Sequence, residues 1–279
     1  MSRPLAAVTG ASAGIGRAFC LALARRGYDL LVTARDRARL EALAAELRAA
    51  HGVAVEVLAA DLARDDDTAR VAERLRAATG LALLVNNAGF GTKGRMAETD
   101  PAGQEAMLRV HVLATSRLTQ AALPALLRTG RHARAGVINV ASIAGFLYSP
   151  GNVNYCATKA YLITFSEGLA AELAGTNVGA QALCPGFTRS EFHQRMLADA
   201  RDIPGPLWLS APKVVEASLD QWLAGGPVIC VPDWRYKLLA GLARVVPRAL
   251  IGRLIAWRRV RRPASSPAGP PVPPRDAPA

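Results

Sequence analysis

Disulfide frameworks and zinc clusters are the first classes to be excluded. The 279-residue chain has four cysteines, Cys20, Cys156, Cys184 and Cys230, scattered singly with no CxxC pair. Small secreted scaffolds and structural zinc sites need paired or clustered thiols, so no metal is expected and a reducing compartment fits best. No stretch reaches the roughly 18 apolar residues that a spanning helix requires. The first ten residues, "MSRPLAAVTG", lack the apolar run of a secretory signal. A cytoplasmic protein is therefore expected.

Acidic residues are scarce in one region only. The net charge of +12 suggests a nucleic-acid partner until it is located. Residues 235–279 hold ten Lys/Arg and one acid, whereas residues 1–234 hold 24 basic and 21 acidic side chains. The body is nearly balanced, so no nucleic-acid partner is expected, and the excess belongs to the C-terminal end.

What the chain has in quantity is short apolar runs alternating with helical patterns. Seven strands are read at 5–10, 29–35, 54–62, 81–89, 135–142, 178–186 and 227–232. Their near-continuous apolarity suits strands covered on both faces. Helical periods fill 14–26, 36–50, 67–79, 102–129, 152–174 and 212–224. This alternation predicts an α/β fold: a three-layer, doubly wound Rossmann arrangement around a mainly parallel seven-stranded sheet. Residues 187–211 break the rhythm with Pro204, Pro206 and Trp208, and read as a lid beyond a strand's carboxyl end.

"TGASAGIG", residues 9–16, follows the first strand and opens the first helix. Gly10, Gly14 and Gly16 would let the backbone approach a pyrophosphate at the helix N-terminus. The spacing differs from GxGxxG. The second strand ends on Arg35, where a dinucleotide fold reads the ribose 2′ position, and arginine there suits a 2′-phosphate. Arg17 could add a second positive charge, and Asp36 would cap the next helix. NADP(H) is favoured over NAD(H). Asp61 ends the third strand, where it could accept from an adenine amino group or cap a helix. "NNAG", 86–89, ends the fourth; Asn86 and Asn87 could tie strand ends together, and Ala88-Gly89 leave room for a ribose.

"VNYCATKAYL" sets Tyr155 and Lys159 four places apart, on one helical face. A phenol titrates ordinarily near 10, and a neighbouring ammonium is expected to lower that value. Such a group can exchange a proton with a carbonyl oxygen. Ser142, ending the fifth strand in "NVAS", could donate to the same oxygen.

Together "TGASAGIG", "NNAG", "NVAS" and "YCATK" resemble the short-chain dehydrogenase/reductase family over roughly residues 4–232. The resemblance implies that Tyr155 is the general acid/base, Ser142 the oxyanion partner, and Lys159 the ribose anchor. It implies cofactor contacts from Gly10, Ser12, Gly14, Ile15, Arg35, Asp61, Asn87 and Thr188. Gly16, Arg17, Leu62, Ala88, Gly89, Pro185 and Gly186 complete the candidate nucleotide site. Family members usually carry an asparagine in the helix after "NNAG", where it helps hold a water linked to the lysine. His111 stands at that position. Histidine could donate or accept there, and could become charged near neutral pH.

Aromatic residues make up 5% of the chain, so the group Phe187, Phe192 and Trp208 is a local enrichment. With Met196, Tyr148 and Ser142 they predict a largely apolar pocket for a hydrophobic ketone or alcohol. A homo-oligomer is expected. Two other classes stay open: a non-catalytic nucleotide-binding regulator and a membrane-docked scaffold. The intact Ser142, Tyr155 and Lys159 speak against the regulator, with His111 the one feature in its favour, and the scaffold would use the tail and ignore the crevice.

The predicted domain covers 1–234. Residues 235–262 hold nine Lys/Arg and no acid, with Leu238, Leu242 and Val245 on one face and Pro247 opening a second helix. Such a basic amphipathic extension could make a peripheral membrane contact, dock on the body, or form a dimer contact. Residues 263–279 are Pro/Ala-rich and expected to be disordered.

Overall fold

A computed structural model of the chain describes residues 3–92, 94–189, 203–247 and Leu250. Seven strands form one sheet: β1 (Leu5–Thr9), β2 (Asp29–Ala34), β3 (Val55–Ala59), β4 (Leu81–Asn86), β5 (Ala135–Val140), β6 (Val178–Leu183) and β9 (Ile229–Cys230). Their order is β3-β2-β1-β4-β5-β6-β9, and every pairing is parallel. This is the expected Rossmann-type architecture, with all strands parallel. Two further strands, β7 (Thr188–Arg189) and β8 (Leu209–Ser210), pair with each other inside the predicted lid. At two residues each they are too short to leave a period.

Alternation along the strands produces a core on each face of the sheet. Ala6, Val8, Leu30, Val32, Leu83 and Val85 point to one side, while Ala7, Leu31, Leu81 and Leu84 point to the other. The helices covering these faces include α1 (Gly14–Arg25), α2 (Arg37–His51), α3 (Asp65–Arg76), α6 (Val153–Glu172) and α7 (Ala211–Leu223).

The single helix expected over 102–129 is three pieces. α4 (Pro101–Leu108) runs into a π-helical turn, Arg109–Ala114, and then α5 (Thr115–Gly130). The turn carries His111. A π-turn inserts one residue's worth of backbone and so re-aims the side chains on it.

The chain divides into two compact units, Met1–Ala243 and Arg244–Ala279. The first unit thus extends past residue 234. The helix α8 (Trp234–Val245) starts there, but its Tyr236 and Ala240 are buried in the core of the first unit. Leu238, Leu242 and Val245, read as an apolar face, are exposed. Most of the second unit, including residues 251–279, lies outside the described residues. Among the described residues, no helix is long and apolar enough to cross a membrane, and no cluster of ligating side chains could hold a metal.

Candidate active site

The sheet order reverses direction between β1 and β4, and crevices at such points lie at the strands' carboxyl ends. The glycine turn leaves β1, "NNAG" leaves β4, Ser142 leaves β5 and Pro185 leaves β6. Parallel pairing of β1, β4, β5 and β6 puts all four segments along one edge.

At the glycine turn the backbone leaves no room for side chains. Gly10 has φ +66, and a Cβ on it would meet the Ala88 Cα at 2.8 Å. A Cβ on Gly16 would lie 2.1 Å from the Gly10 carbonyl oxygen. Ala13 stands at the cap of α1 and supplies no side-chain hydrogen bond to its first turn. An uncapped, closely approached helix N-terminus with Ser12, Gly14 and Ile15 around it suits a pyrophosphate. Asn87 holds the turn against β4, its Nδ2 donating to the Thr9 carbonyl at 2.9 Å and the Gly10 carbonyl at 3.1 Å. Thr9, which sequence reasoning passed over, accepts at its hydroxyl from the Asn87 and Ala88 amides. Asn86 likewise donates to Asn139 on β5 at 2.9 Å.

The end of β2 sorts the charges expected there. Asp36 caps α2, accepting from the Arg39 amide at 3.0 Å. Arg17 lies 2.5 Å from Glu46 and is engaged as an ion pair rather than as a second free cation. Arg35 is exposed, and no ion pair engages it among the described residues. Asp61 accepts from the Ala63 amide at 3.0 Å, opening the turn before α3, and Leu62 is buried.

On α6, Tyr155 is 7% and Lys159 5% exposed. Neither is a solvated surface group. The Lys159 ammonium lies 5.7 Å from the Tyr155 ring centre and donates to the Val140 carbonyl at 2.8 Å. Ser142 caps the short turn Ile143–Phe146 and accepts from the Ala144 amide at 3.1 Å. Ser142 also acts on the Tyr155 phenol, favouring its ionised form. Lys159 thus lies beside the Tyr155 ring, one helical turn along α6.

The expected lowering of the phenol is not what the structure shows. Burial pushes Tyr155 up to about 12, and Ser142 only partly opposes it. Burial also pushes Lys159 down, to about 8. Desolvation is the largest cause for both groups. The phenol is therefore protonated at neutral pH.

His111 is 1% exposed. The Phe90 amide donates to its Nε2 at 3.1 Å, so the ring proton sits on Nδ1. Nδ1 donates to the Thr158 hydroxyl at 2.9 Å, and that hydroxyl donates to the Tyr155 carbonyl at 2.9 Å. Both ring nitrogens are engaged, which leaves none for a water relay. Burial, aided by the Lys159 charge, holds the imidazole well below its ordinary range. The expectation of charging near neutral pH is thereby overturned. Gly89 accommodates the ring, since a Cβ there would lie 2.6 Å from Nε2.

Phe187 and Trp208 are half-buried with ring centres 5.8 Å apart. Thr188 is buried and donates to the Gly186 carbonyl at 3.0 Å. The Pro185 carbonyl accepts from the Ile143 amide at 3.0 Å, which ties this segment to the Ser142 turn. Tyr148 is largely exposed, and Phe192 and Met196 lie outside the described residues. A small cleft that Tyr155 helps to line also has Thr92, Met96, Gln104, Asn152 and Asn154 in its wall. Asn154 donates to Gln104, and Gln104 to Thr92, at 2.9 and 2.7 Å. That wall is polar.

The pattern of the short chain dehydrogenase family matches residues 4–201. An uncharacterized oxidoreductase of Myxococcus xanthus is 34% identical over 265 residues, 94% of this chain and 99% of its own length. A short-chain dehydrogenase of Sphingobium yanoikuyae, solved in complex with NADPH, superposes with a TM-score of 0.78 at 33% identity, covering 94% of this chain and 98% of that one. A bulky-bulky ketone specific alcohol dehydrogenase of Comamonas testosteroni gives 0.74 at 28% identity, over 96% and 98%.

Proposed function

Because the chain belongs to the short-chain dehydrogenase/reductase family, whose members are oxidoreductases working with a pyridine nucleotide, we propose that it reduces a hydrophobic ketone with NADP(H), using Tyr155 as general acid. The observation that carries the reading is a buried phenol and a buried ammonium side by side on α6. The residues present fit a dinucleotide: an uncapped helix N-terminus, glycines where side chains would clash, and an exposed arginine just after β2. Gly10, Ser12, Gly14, Ile15, Arg35, Asp61 and Asn87 would hold it. When bound, the nicotinamide supplies the hydride.

Ser142 donates to the ketone oxygen and aims it at the phenol. Tyr155 delivers its proton as negative charge grows on that oxygen. A phenol pushed up to about 12 is protonated at neutral pH and so can serve as the acid. Lys159 keeps a positive charge beside the phenolate that remains. His111 acts as a positioning residue, joining "NNAG" to the catalytic helix, and takes no proton itself.

Arg35 supports NADP(H) over NAD(H), as does the NADPH bound by the Sphingobium relative. Phe187 and Trp208 would take the apolar arm of the ketone, and the Thr92–Gln104–Asn154 wall its more polar arm. The Comamonas relative's preference for bulky ketones agrees with an acyclic or ring ketone substituted on both sides. The test is consumption of NADPH against NADH over a panel of such ketones. Turnover with NADPH supports the reading, and binding of NADPH without turnover of any ketone removes it.

A further inference from the structure

The basic C-terminal end begins as part of the active-site scaffold. Tyr236, on the first turn of α8, is 4% exposed. Its hydroxyl donates to the Leu207 carbonyl at 2.7 Å and accepts from the Phe187 amide at 3.2 Å. Its ring lies directly over the Gly186 Cα, where an added Cβ would approach Tyr236 Cζ to 2.0 Å. The turn that presents it is itself anchored. Asp233 accepts from the Arg235 amide at 3.0 Å and pairs with Lys213 at 3.2 Å, and Arg235 donates to the Pro206 carbonyl at 3.1 Å.

These bonds meet the segment after β6 next to the residue that the Ser142 turn holds. Pro185 is held to Ile143, next to Ser142, while Gly186 and Phe187 are held to Tyr236. The Phe187 carbonyl accepts from the Leu209 amide at 2.8 Å, closing the same joint. One phenol therefore fixes both backbones that carry the aromatic pair Phe187 and Trp208.

We infer that Tyr236 is a positioning residue for substrate: it sets where Phe187 and Trp208 stand and so governs how large an apolar arm the site accepts. This rests on the proposed ketone reduction for its kinetic consequence, but not for its structural one. Cutting the chain at 234 removes this phenol and disrupts the site along with the tail.

Tyr236→Phe keeps the ring over Gly186 and removes both hydrogen bonds. In the full-length chain, hydrogen–deuterium exchange at the Phe187 amide is expected to quicken about fivefold to tenfold, the equivalent of one net hydrogen bond, with β5 amides unchanged. With NADPH saturating, KM for a bulky ketone is expected to rise by a similar factor, and KM for a small ketone and kcat by less than about twofold. Unchanged exchange at Phe187, or an equal KM rise for small and bulky ketones, overturns the inference. A wild-type chain that reduces no ketone defeats the proposed function instead, and the exchange measurement then decides Tyr236 alone.

Discussion

His111 Nδ1 lies 2.9 Å from the Thr158 hydroxyl, and that bond joins the π-turn after α4 to the helix carrying Tyr155 and Lys159. The opposite nitrogen accepts from the Phe90 amide, so one neutral ring ties the end of β4 to the catalytic helix. A cation there would lose the Phe90 bond and face the Lys159 ammonium.

A pH dependence of stability follows. His111 is held well below its ordinary value in the folded chain by burial, then by Lys159. A depressed value means the unfolded chain takes up a proton first, so this contribution is whole above about pH 6.5 and is lost as pH falls below it. The loss approaches about 1.4 kcal/mol per pH unit until the folded ring titrates. His111→Asn removes the term. Thermal unfolding between pH 7.5 and 5.5 is expected to fall more steeply for wild type than for this variant, and parallel curves would show that His111 is not held neutral.

A pH limit on reduction comes from Lys159. Burial pushes its ammonium down to about 8, and the Tyr155 phenol up to about 12. The single-turnover rate is expected to fall as pH rises through about 8, long before Tyr155 ionises. Lys159→Arg keeps the charge at alkaline pH. It is expected to lower the rate but to remove this limb, and a limb at unchanged pH in the variant would assign it to another group.

Arg35 is expected to set nucleotide choice. Arg35→Ala should weaken NADPH binding about 10- to 100-fold, the range of one or two charge-assisted hydrogen bonds, and change NADH binding little. Equal losses for both nucleotides, measured by fluorescence titration, would take the 2′-phosphate away from Arg35.

Gly10 tests the cradle. An alanine there would occupy φ +66, a region costly to L-residues, with its Cβ 2.8 Å from Ala88. Gly10→Ala is expected to lower NADPH affinity at least about tenfold. Affinity within twofold of wild type would place the pyrophosphate elsewhere.

The strands were legible because each is a short apolar run with both faces covered, and the seven lie within a few residues of where the pattern sets them. Helix 102–129 was legible as helical but not as broken, since a π-turn keeps the helical period nearly intact while shifting side chains. The residues at the strands' carboxyl ends announced themselves through spacing. Thr9 and Thr158 did not, because a buried threonine is recognised only by its partners. Tyr236 hid in a basic run whose exposed leucines suggested the opposite docking face. The direction of the Tyr155 shift was misread for a physical reason: charge pairing is visible in sequence, and depth of burial is not.

The central claim is that the Tyr155 hydroxyl delivers the proton. Its most direct test is single-turnover reduction of a bulky hydrophobic ketone by protein preloaded with NADPH, wild type against Tyr155→Phe. A rate lower by about 10²- to 10⁴-fold, with NADPH affinity unchanged, is predicted. A rate within tenfold of wild type would contradict it.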